Sequence, residues 1–103
     1  MRKLEWSEQA RTELRGITRH IANENPYAAE RVLRRIREAA NALLSFQSGR
    51  IGRVAGTYEK RVRKTRYILA FDIRHAGGGL EIINILHVIH TSRDWPAGEW
   101  PKE

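Results

Sequence analysis

The chain has 103 residues, which fits one domain of ordinary size, and we expect a single domain over residues 1–103. It contains no cysteine, which excludes disulfide scaffolds and thiolate zinc sites. Its formal net charge is +7, and fifteen of its nineteen basic residues are arginine, whose planar guanidinium fits carboxylate and phosphate groups. The composition therefore predicts an anionic partner, with a solvated basic surface as the alternative.

No segment has the pattern of a targeting signal or a membrane span. Residues 1–6 lack the apolar run of a secretory signal, and polar side chains interrupt the longest apolar segment, residues 80–89. The four histidines are scattered, so we expect no metal site, and nothing in the sequence indicates a cofactor. We expect a soluble, cytoplasmic protein without membrane contact.

The first elements in chain order are a short strand and a helix. Leu4 and Trp6 share one face of a strand predicted over residues 2–6. Ser7 then offers an N-cap oxygen to the free N–H groups at the start of the helix. The helix carries an apolar stripe formed by Ala10, Leu14, Ile17 and Ile21. Three arginines line the neighbouring face: Arg11, Arg15 and Arg19.

A second helix begins at Asn25-Pro26, where asparagine caps and proline occupies the first helical position. Apolar residues recur at helical spacing from Ala29 to Leu44, so the two helices should form an antiparallel hairpin. Residues 47–56 contain three glycines and are predicted to form a loop.

Beyond this loop the apolar period changes from that of a helix to that of a strand. Alternation predicts strands over residues 58–63 and 67–74, and glycines in residues 76–79 predict a hairpin turn. Residues 80–90 form the last and most apolar strand, which we expect to be central. The order β-α-α-β-β-β predicts an α+β fold, with a helical hairpin packed on a small, mostly antiparallel sheet.

The most basic segment, residues 50–66, is the first candidate site. On a strand, Arg61 and Arg63 project from the same side as Glu59, the only acid in the segment. Two guanidiniums in this arrangement suit phosphate oxygens or acidic side chains. Alternatively, these cations guard an edge strand against pairing with another sheet.

The end of the last strand is the second candidate site. Histidine transfers protons near neutral pH, so His87 is a candidate base, with Arg93 close behind it. His87 and His90 lie three residues apart and should face opposite sides of the strand, so they share a site only if the strand bends. A hydrogen-bonded structural role for each is the alternative. We expect the two Trp-Pro pairs that follow, at residues 95–96 and 100–101, to pack on the body of the protein.

Three segments resemble the RelE/ParE superfamily of bacterial toxins. Residues 56–62 (GTYEKRV) and 65–71 (TRYILAF) resemble the second and third strands of that family. Residues 83–96 (INILHVIHTSRDWP) resemble its last strand and tail, where a hydrophobic-Leu-His pattern precedes Arg-Asp-Trp. The order and length of the helices also agree, so the resemblance covers nearly the whole chain.

The resemblance implies a cytoplasmic toxin that a cognate antitoxin holds inactive. The antitoxin would be small and partly acidic, with a DNA-binding N-terminal half and a C-terminal segment that folds over the toxin. Candidate contacts for its acidic groups are Arg11, Arg15, Arg19, Arg31 and Arg35.

The resemblance leaves two molecular targets. RelE-like members cleave messenger RNA on the ribosome. In the present sequence Glu59 replaces one lysine of those members and Ile68 replaces an arginine. Only Arg61, at the position of a second lysine, keeps the positive charge. These departures favour the ParE-like members, which inhibit DNA gyrase and lack the ribonuclease residues. Residues expected to contact the target are Arg61, Arg63, Arg66, Arg93 and Trp95. If the chain is a ribonuclease, its catalytic residues would be Arg61, Arg63, His87 and Arg93. A harmless basic domain that binds nucleic acid is the third reading.

Overall fold

The computed structural model describes residues 1–46 and 48–101; Gln47, which begins the predicted loop, and the last two residues, Lys102 and Glu103, lie outside the described residues. The elements are β1 (Arg2–Trp6), α1 (Glu8–Glu24), α2 (Pro26–Ala42), β2 (Arg50–Ile51), β3 (Tyr58–Arg61), β4 (Tyr67–Ala76) and β5 (Leu80–His90). The predicted α+β fold is therefore confirmed, with one additional short strand.

The sheet has the strand order β1-β5-β4-β3-β2. β1 runs parallel to β5, and the other neighbours are antiparallel. β5 lies between β1 and β4 and is therefore an interior strand, as expected, while β4 occupies the middle of the order. β1 pairs with β5 only as far as Ile85, so the last part of β5 has an edge that no strand covers.

Side-chain caps fix both helix starts, as predicted. The Ser7 side chain accepts a hydrogen bond from the Ala10 N–H at 3.0 Å. The Asn25 side chain accepts from the N–H groups of Tyr27 and Ala28, each at 3.1 Å. Each cap satisfies backbone donors that have no partner inside the helix. The caps therefore set the length of the connection, and the two helices fold back on each other.

The helical hairpin covers one face of the sheet and encloses the core. Phe71, Leu69 and Ile85 from the sheet are fully buried. Ile36 on α2 and Leu43, which directly follows α2, are also fully buried. On α1 only the first half of the apolar stripe is buried, whereas Ile17 is partly buried against the core. The second half of α1 thus retains apolar surface outside the core.

The prediction of a loop over residues 47–56 is wrong in one respect, because this segment contains β2. Arg50 pairs with Glu59 and Ile51 with Tyr58, so β2 forms the edge of the sheet beyond β3. β3 is also shorter than predicted. The Val62 N–H donates to the Tyr67 carbonyl at 3.0 Å and closes the hairpin, so Arg63 lies in the turn rather than in the strand.

Candidate functional site

Five basic side chains surround a cleft of about 340 Å³ between α2 and the β3–β4 hairpin. We call it the cationic cleft, and its basic residues are Arg35, Lys60, Arg61, Arg63 and Lys64. One acid and two alanines complete its lining: Glu38, Ala39 and Ala42. The arginines of the predicted pair thus border the same cleft, together with cations from α2 and the turn. Such an arrangement can bind phosphate or carboxylate groups.

Glu59 pairs with two other basic residues of this segment, Arg50 and Arg53, which do not line the cleft. Its side chain is 3% exposed and accepts a hydrogen bond from the Arg53 N–H at 2.8 Å. The guanidiniums of Arg50 and Arg53 lie 3.4 and 3.8 Å from its two oxygens. Glu59 therefore neutralises these two arginines and anchors the β2 segment to β3. It is a structural carboxylate, buried away from any bound phosphate.

A second cavity, of about 220 Å³, lies beside the uncovered edge of β5, and we call it the His87 cavity. Its polar lining comprises Glu13, Tyr67, His87, His90 and Arg93, and Trp100 closes one side. The two histidines therefore border one cavity although they face opposite sides of β5. The expectation was that they share a site only if the strand bends, and β5 has a register irregularity opposite Ala70 and Phe71, just before His87.

Glu13 orients His87 within this cavity. One carboxylate oxygen accepts from the Val88 N–H at 3.0 Å, and the other lies 3.3 Å from His87 Nδ1. When Nδ1 carries the proton, it donates a hydrogen bond to Glu13 and leaves Nε2 as a free acceptor. A histidine oriented in this way can act as a general base. The Trp100 ring packs on His87 with ring centroids 4.4 Å apart.

Tyr67 supplies the hydroxyl of the cavity. Burial raises the pKa of Tyr67 above its ordinary value of 10.0, because the phenolate would lose solvation there. The phenol therefore stays protonated through the neutral range and can donate a hydrogen bond to an anion. An oriented histidine, a phenol and the nearby Arg93 can together bind and polarise a phosphodiester.

Both tryptophans of the tail pack on the body, as expected. Trp95 lies under the Arg53 guanidinium, 4.0 Å from its ring centroid, and so joins the tail to the Glu59 network. Trp100 packs on His87 at the other end of the tail. The tail thus contacts both the β2 side of the sheet and the His87 cavity.

A third concave surface lies between the two helices and has a volume of about 320 Å³. We call it the apolar groove, because Leu14, Ala22 and Leu33 form much of its lining. Three arginines border it: Arg15, Arg19 and Arg37. An apolar floor with a guanidinium rim suits an amphipathic segment whose acids meet the arginines.

The structure divides the predicted antitoxin contacts among several places. Arg15 and Arg19 border the apolar groove, whereas Arg11 borders a neighbouring cavity next to β1. Arg35 belongs to the cationic cleft instead. Arg31 is exposed on α2.

The residues predicted for catalysis or target binding are also divided. Arg61 and Arg63 border the cationic cleft, whereas His87 and Arg93 border the His87 cavity. Arg66 is exposed in the turn before β4.

Sequence reasoning missed Glu13, and for Lys64, which lies in the predicted basic segment, it missed the backbone conformation. Glu13 stands 74 positions before His87, and no motif connects the two. Lys64 is the one non-glycine residue with positive φ in the described part of the chain, at 60°, and no sequence signal marked its turn.

Residues 1–46 and 48–101 contain no cluster of three or more His, Asp or Glu side chains that could hold a metal ion. None of the helices in these two ranges has the length and apolar character needed to cross a bilayer.

These features define a small basic α+β protein in which a helical hairpin covers one face of a mixed sheet. Its cationic cleft and its apolar groove are both bordered by arginines. The same fold occurs in a solved structure titled "Chromosomal ParDE TA system from P. aeruginosa", with a TM-score of 0.74, 22% sequence identity and coverage of 89% of this chain and 98% of that one. The chain belongs to the ParE toxin family: residues 4–95 match the family described as "ParE toxin of type II toxin-antitoxin system, parDE". It is also 32% identical over 96 residues to the Sinorhizobium fredii (strain NBRC 101917 / NGR234) protein named "Putative toxin Y4kP", covering 92% of this chain and 94% of that protein.

Proposed function

We propose that this toxin inhibits DNA gyrase through a protein–protein interaction. The observation that carries the proposal is the burial of Glu59 and Ile68, which are 3% and 5% exposed. The RelE resemblance implies a lysine and an arginine at these positions, where they would handle a phosphate. Here Glu59 is bound by two arginines and Ile68 is apolar, so neither can do so. The loss of this set favours the ParE-like branch, whose members inhibit gyrase.

The target surface in this proposal combines the β3–β4 hairpin with the tail. Arg61, Arg63 and Arg66 are exposed on or next to the hairpin turn, and Arg93 is exposed at the start of the tail. Trp95, in the tail, packs on Arg53 and is partly exposed. Interfaces are enriched in arginine and tryptophan, which favours this surface over the acid-bearing parts of the molecule.

A supercoiling assay with purified gyrase and relaxed plasmid tests the proposal. The toxin should block supercoiling and cause cleaved plasmid to accumulate, and its expression without antitoxin should induce the SOS response. The double variant Arg61→Ala/Arg63→Ala should weaken inhibition, whereas Arg34→Ala, at an exposed cation outside the described cavities, should not. Intact DNA together with codon-phased cuts in messenger RNA would contradict gyrase as the target.

Ribosome-dependent cleavage of messenger RNA is the second candidate function, and the His87 cavity favours it. His87 Nε2 would take the proton of the 2′-hydroxyl, whose oxygen would attack the adjacent phosphorus and expel the 5′-oxygen of the next nucleotide. Arg93 and the Tyr67 hydroxyl would stabilise the charge on the phosphate. His87→Ala should then abolish the cuts while the fold persists, and His75→Ala, at an exposed histidine near the glycine turn, should leave them intact. Unchanged cutting in His87→Ala would exclude this candidate.

As a member of a toxin–antitoxin family, the chain has an antitoxin as its partner. We propose that a partly acidic C-terminal segment of that antitoxin folds into the apolar groove, with the proteins acting in the cytoplasm. Leu14 and Leu33 would receive apolar anchors, while Arg15 and Arg19 would pair with acids. Arg11 would extend the same contact toward β1. Arg31 and Arg35 remain proposed contacts for a segment that continues over α2.

A further inference from the structure

We propose that the cationic cleft binds the sugar–phosphate backbone of a nucleic acid. Its lining contains five basic residues and a single acid, Glu38. Among the described residues, Arg35, Arg61, Arg63 and Lys64 form no ion pair within 4.0 Å, whereas Arg50 and Arg53 on the adjacent segment are both paired with Glu59. Clustered like charges repel one another, so a site of this kind is stabilised when an anion enters it.

The turn that carries two of these cations is held in place before any ligand arrives. The Thr65 hydroxyl donates to the Val62 carbonyl at 2.9 Å and accepts from the Tyr67 N–H at 3.1 Å. Lys64 adopts a positive φ of 60°, which a residue with a Cβ atom reaches only at an energetic cost. The cations of the turn are thus presented on a fixed backbone, and binding an anion there needs little further ordering.

The lining of the cleft favours a nucleic acid over an acidic protein. Among the described residues, Ala39 and Ala42 are the only apolar side chains of its lining, so this part of the chain offers no pocket for the large apolar anchors by which a peptide partner gains affinity. The apolar groove has that character and shares no residue with the cleft. A phosphate backbone needs cations and guanidinium donors, which the cleft has in excess.

The absence of aromatic side chains from the cleft also predicts how the nucleic acid is read. Aromatic rings are the usual platforms on which unpaired bases stack, and none is found among the described residues that line this cleft. Contacts to the backbone position a nucleic acid without selecting its sequence. We therefore expect binding with no sequence preference and with strong dependence on salt.

This inference rests on the proposed function, because Arg61 and Arg63 belong to the target surface proposed above. It assigns that part of the surface to a nucleic acid and leaves the tail for the protein target. The toxin would hold the DNA of the gyrase complex through the cationic cleft and contact the protein through the tail. Binding itself is measured without gyrase, so the two proposals can fail separately.

Fluorescence anisotropy of a labelled duplex DNA, titrated with the full chain at several salt concentrations, tests the inference. Wild type should bind with a steep linear fall of log affinity against log salt. Arg61→Ala/Arg63→Ala should weaken binding about tenfold and reduce the magnitude of that slope by about 2, because two phosphate contacts are lost. Thermal unfolding checks that the variant remains folded.

The matched control is Lys3→Ala/Arg74→Ala, which removes the same net charge from two exposed cations that both lie near Glu5. Its affinity and salt slope should equal those of wild type. An equal loss in both double variants would overturn the inference, because binding would then follow net charge rather than the cleft.

Two further arms identify the ligand. A labelled RNA duplex of the same sequence decides between DNA and RNA as the source of the backbone, and tight binding of either supports the cleft. A poly-glutamate peptide that binds more tightly than both nucleic acids, and whose binding depends on Arg61 and Arg63, would overturn the inference in favour of an acidic protein.

If the double variant loses DNA binding but inhibits gyrase fully, the inference fails as an account of the target while gyrase inhibition stands. If wild type binds DNA but never inhibits gyrase, the proposed function fails and the cleft remains.

Discussion

Glu59 and Glu13 each use a carboxylate oxygen to bind a backbone N–H of another segment. Glu59 binds the Arg53 N–H at 2.8 Å, and Glu13 binds the Val88 N–H at 3.0 Å. In both cases the other carboxylate oxygen lies close to a basic side chain, which is Arg50 for Glu59 and His87 for Glu13. Charge-assisted bonds of this kind are stronger than neutral ones. Single acids therefore hold the edge strand β2 and the uncovered end of β5 in place.

Glu59→Ala should destabilise the protein by about 2 kcal/mol, because a buried carboxylate with charge-assisted hydrogen bonds is lost and two arginines lose their partner. Urea denaturation measures the free energy of unfolding. Glu30→Ala, at an exposed acid on α2, is the control and should change it by less than about 0.5 kcal/mol. Equal stability of the two variants would show that the Glu59 network is not structural.

The raised pKa of Tyr67 predicts a pH dependence of stability. A phenol whose pKa is higher in the folded state contributes stability that is fully present below its ordinary value of 10.0 and is lost as pH rises through the folded pKa. The unfolding free energy of wild type should therefore fall above about pH 10, and Tyr67→Phe should lack this component. Urea denaturation from about pH 8 to about pH 11 compares them. Tyr27→Phe, at an exposed tyrosine, should keep the wild-type dependence, and parallel curves for wild type and Tyr67→Phe would contradict the assignment.

At the scale of elements, the β3–β4 hairpin is the part whose backbone conformation is most unusual. Lys64→Gly should stabilise the protein by up to about 1 kcal/mol, because glycine adopts a positive φ without the steric cost of a Cβ atom. Arg66→Gly in the same turn is the matched control and should destabilise, since it only adds flexibility to the unfolded chain. Urea denaturation measures both. Destabilisation by Lys64→Gly equal to that by Arg66→Gly would show that the turn carries no strain.

Local signals in the sequence were sufficient to predict most elements. Ser7, Asn25 and Pro26 begin the helices through contacts within four residues, and the glycines after β4 make the turn by their own conformational freedom. β2 was not predictable, because two residues form a strand only when Glu59 and Tyr58 lie opposite them.

The candidate site was predictable only in part, for the same reason. The spacing of two predicted Arg61 and Arg63 on one side of a strand; both border the cationic cleft, but Arg63 does so from the turn that follows β3. The contribution of Arg35 and the orientation of His87 by Glu13 depend on how α2 and α1 pack on the sheet. Long-range packing of this kind leaves no periodic signal in a single sequence.

At the scale of the whole molecule, the basic residues border several separate concave surfaces. The cationic cleft, the His87 cavity and the apolar groove have no lining residue in common. If the proposed assignments hold, we expect contact with a target and contact with an antitoxin to be separable by mutation. An antitoxin segment in the apolar groove would leave the cationic cleft geometrically free, so neutralisation must involve either a segment that continues past the groove or a steric block of the target.

This separation can be tested by reversing one charge at the rim of the apolar groove. Arg19→Glu should weaken antitoxin binding by about tenfold or more, because an acid of the antitoxin would then face a like charge. Toxicity should persist, since Arg19 borders neither the cationic cleft nor the His87 cavity. Coexpressed antitoxin should consequently fail to rescue growth at levels that neutralise wild type. The matched control is Arg34→Glu, an equal reversal at an exposed position of α2 outside the described cavities, and it should remain neutralised. If both variants are neutralised like wild type while titration calorimetry shows unchanged affinity, the antitoxin does not bind at the Arg19 rim of the groove.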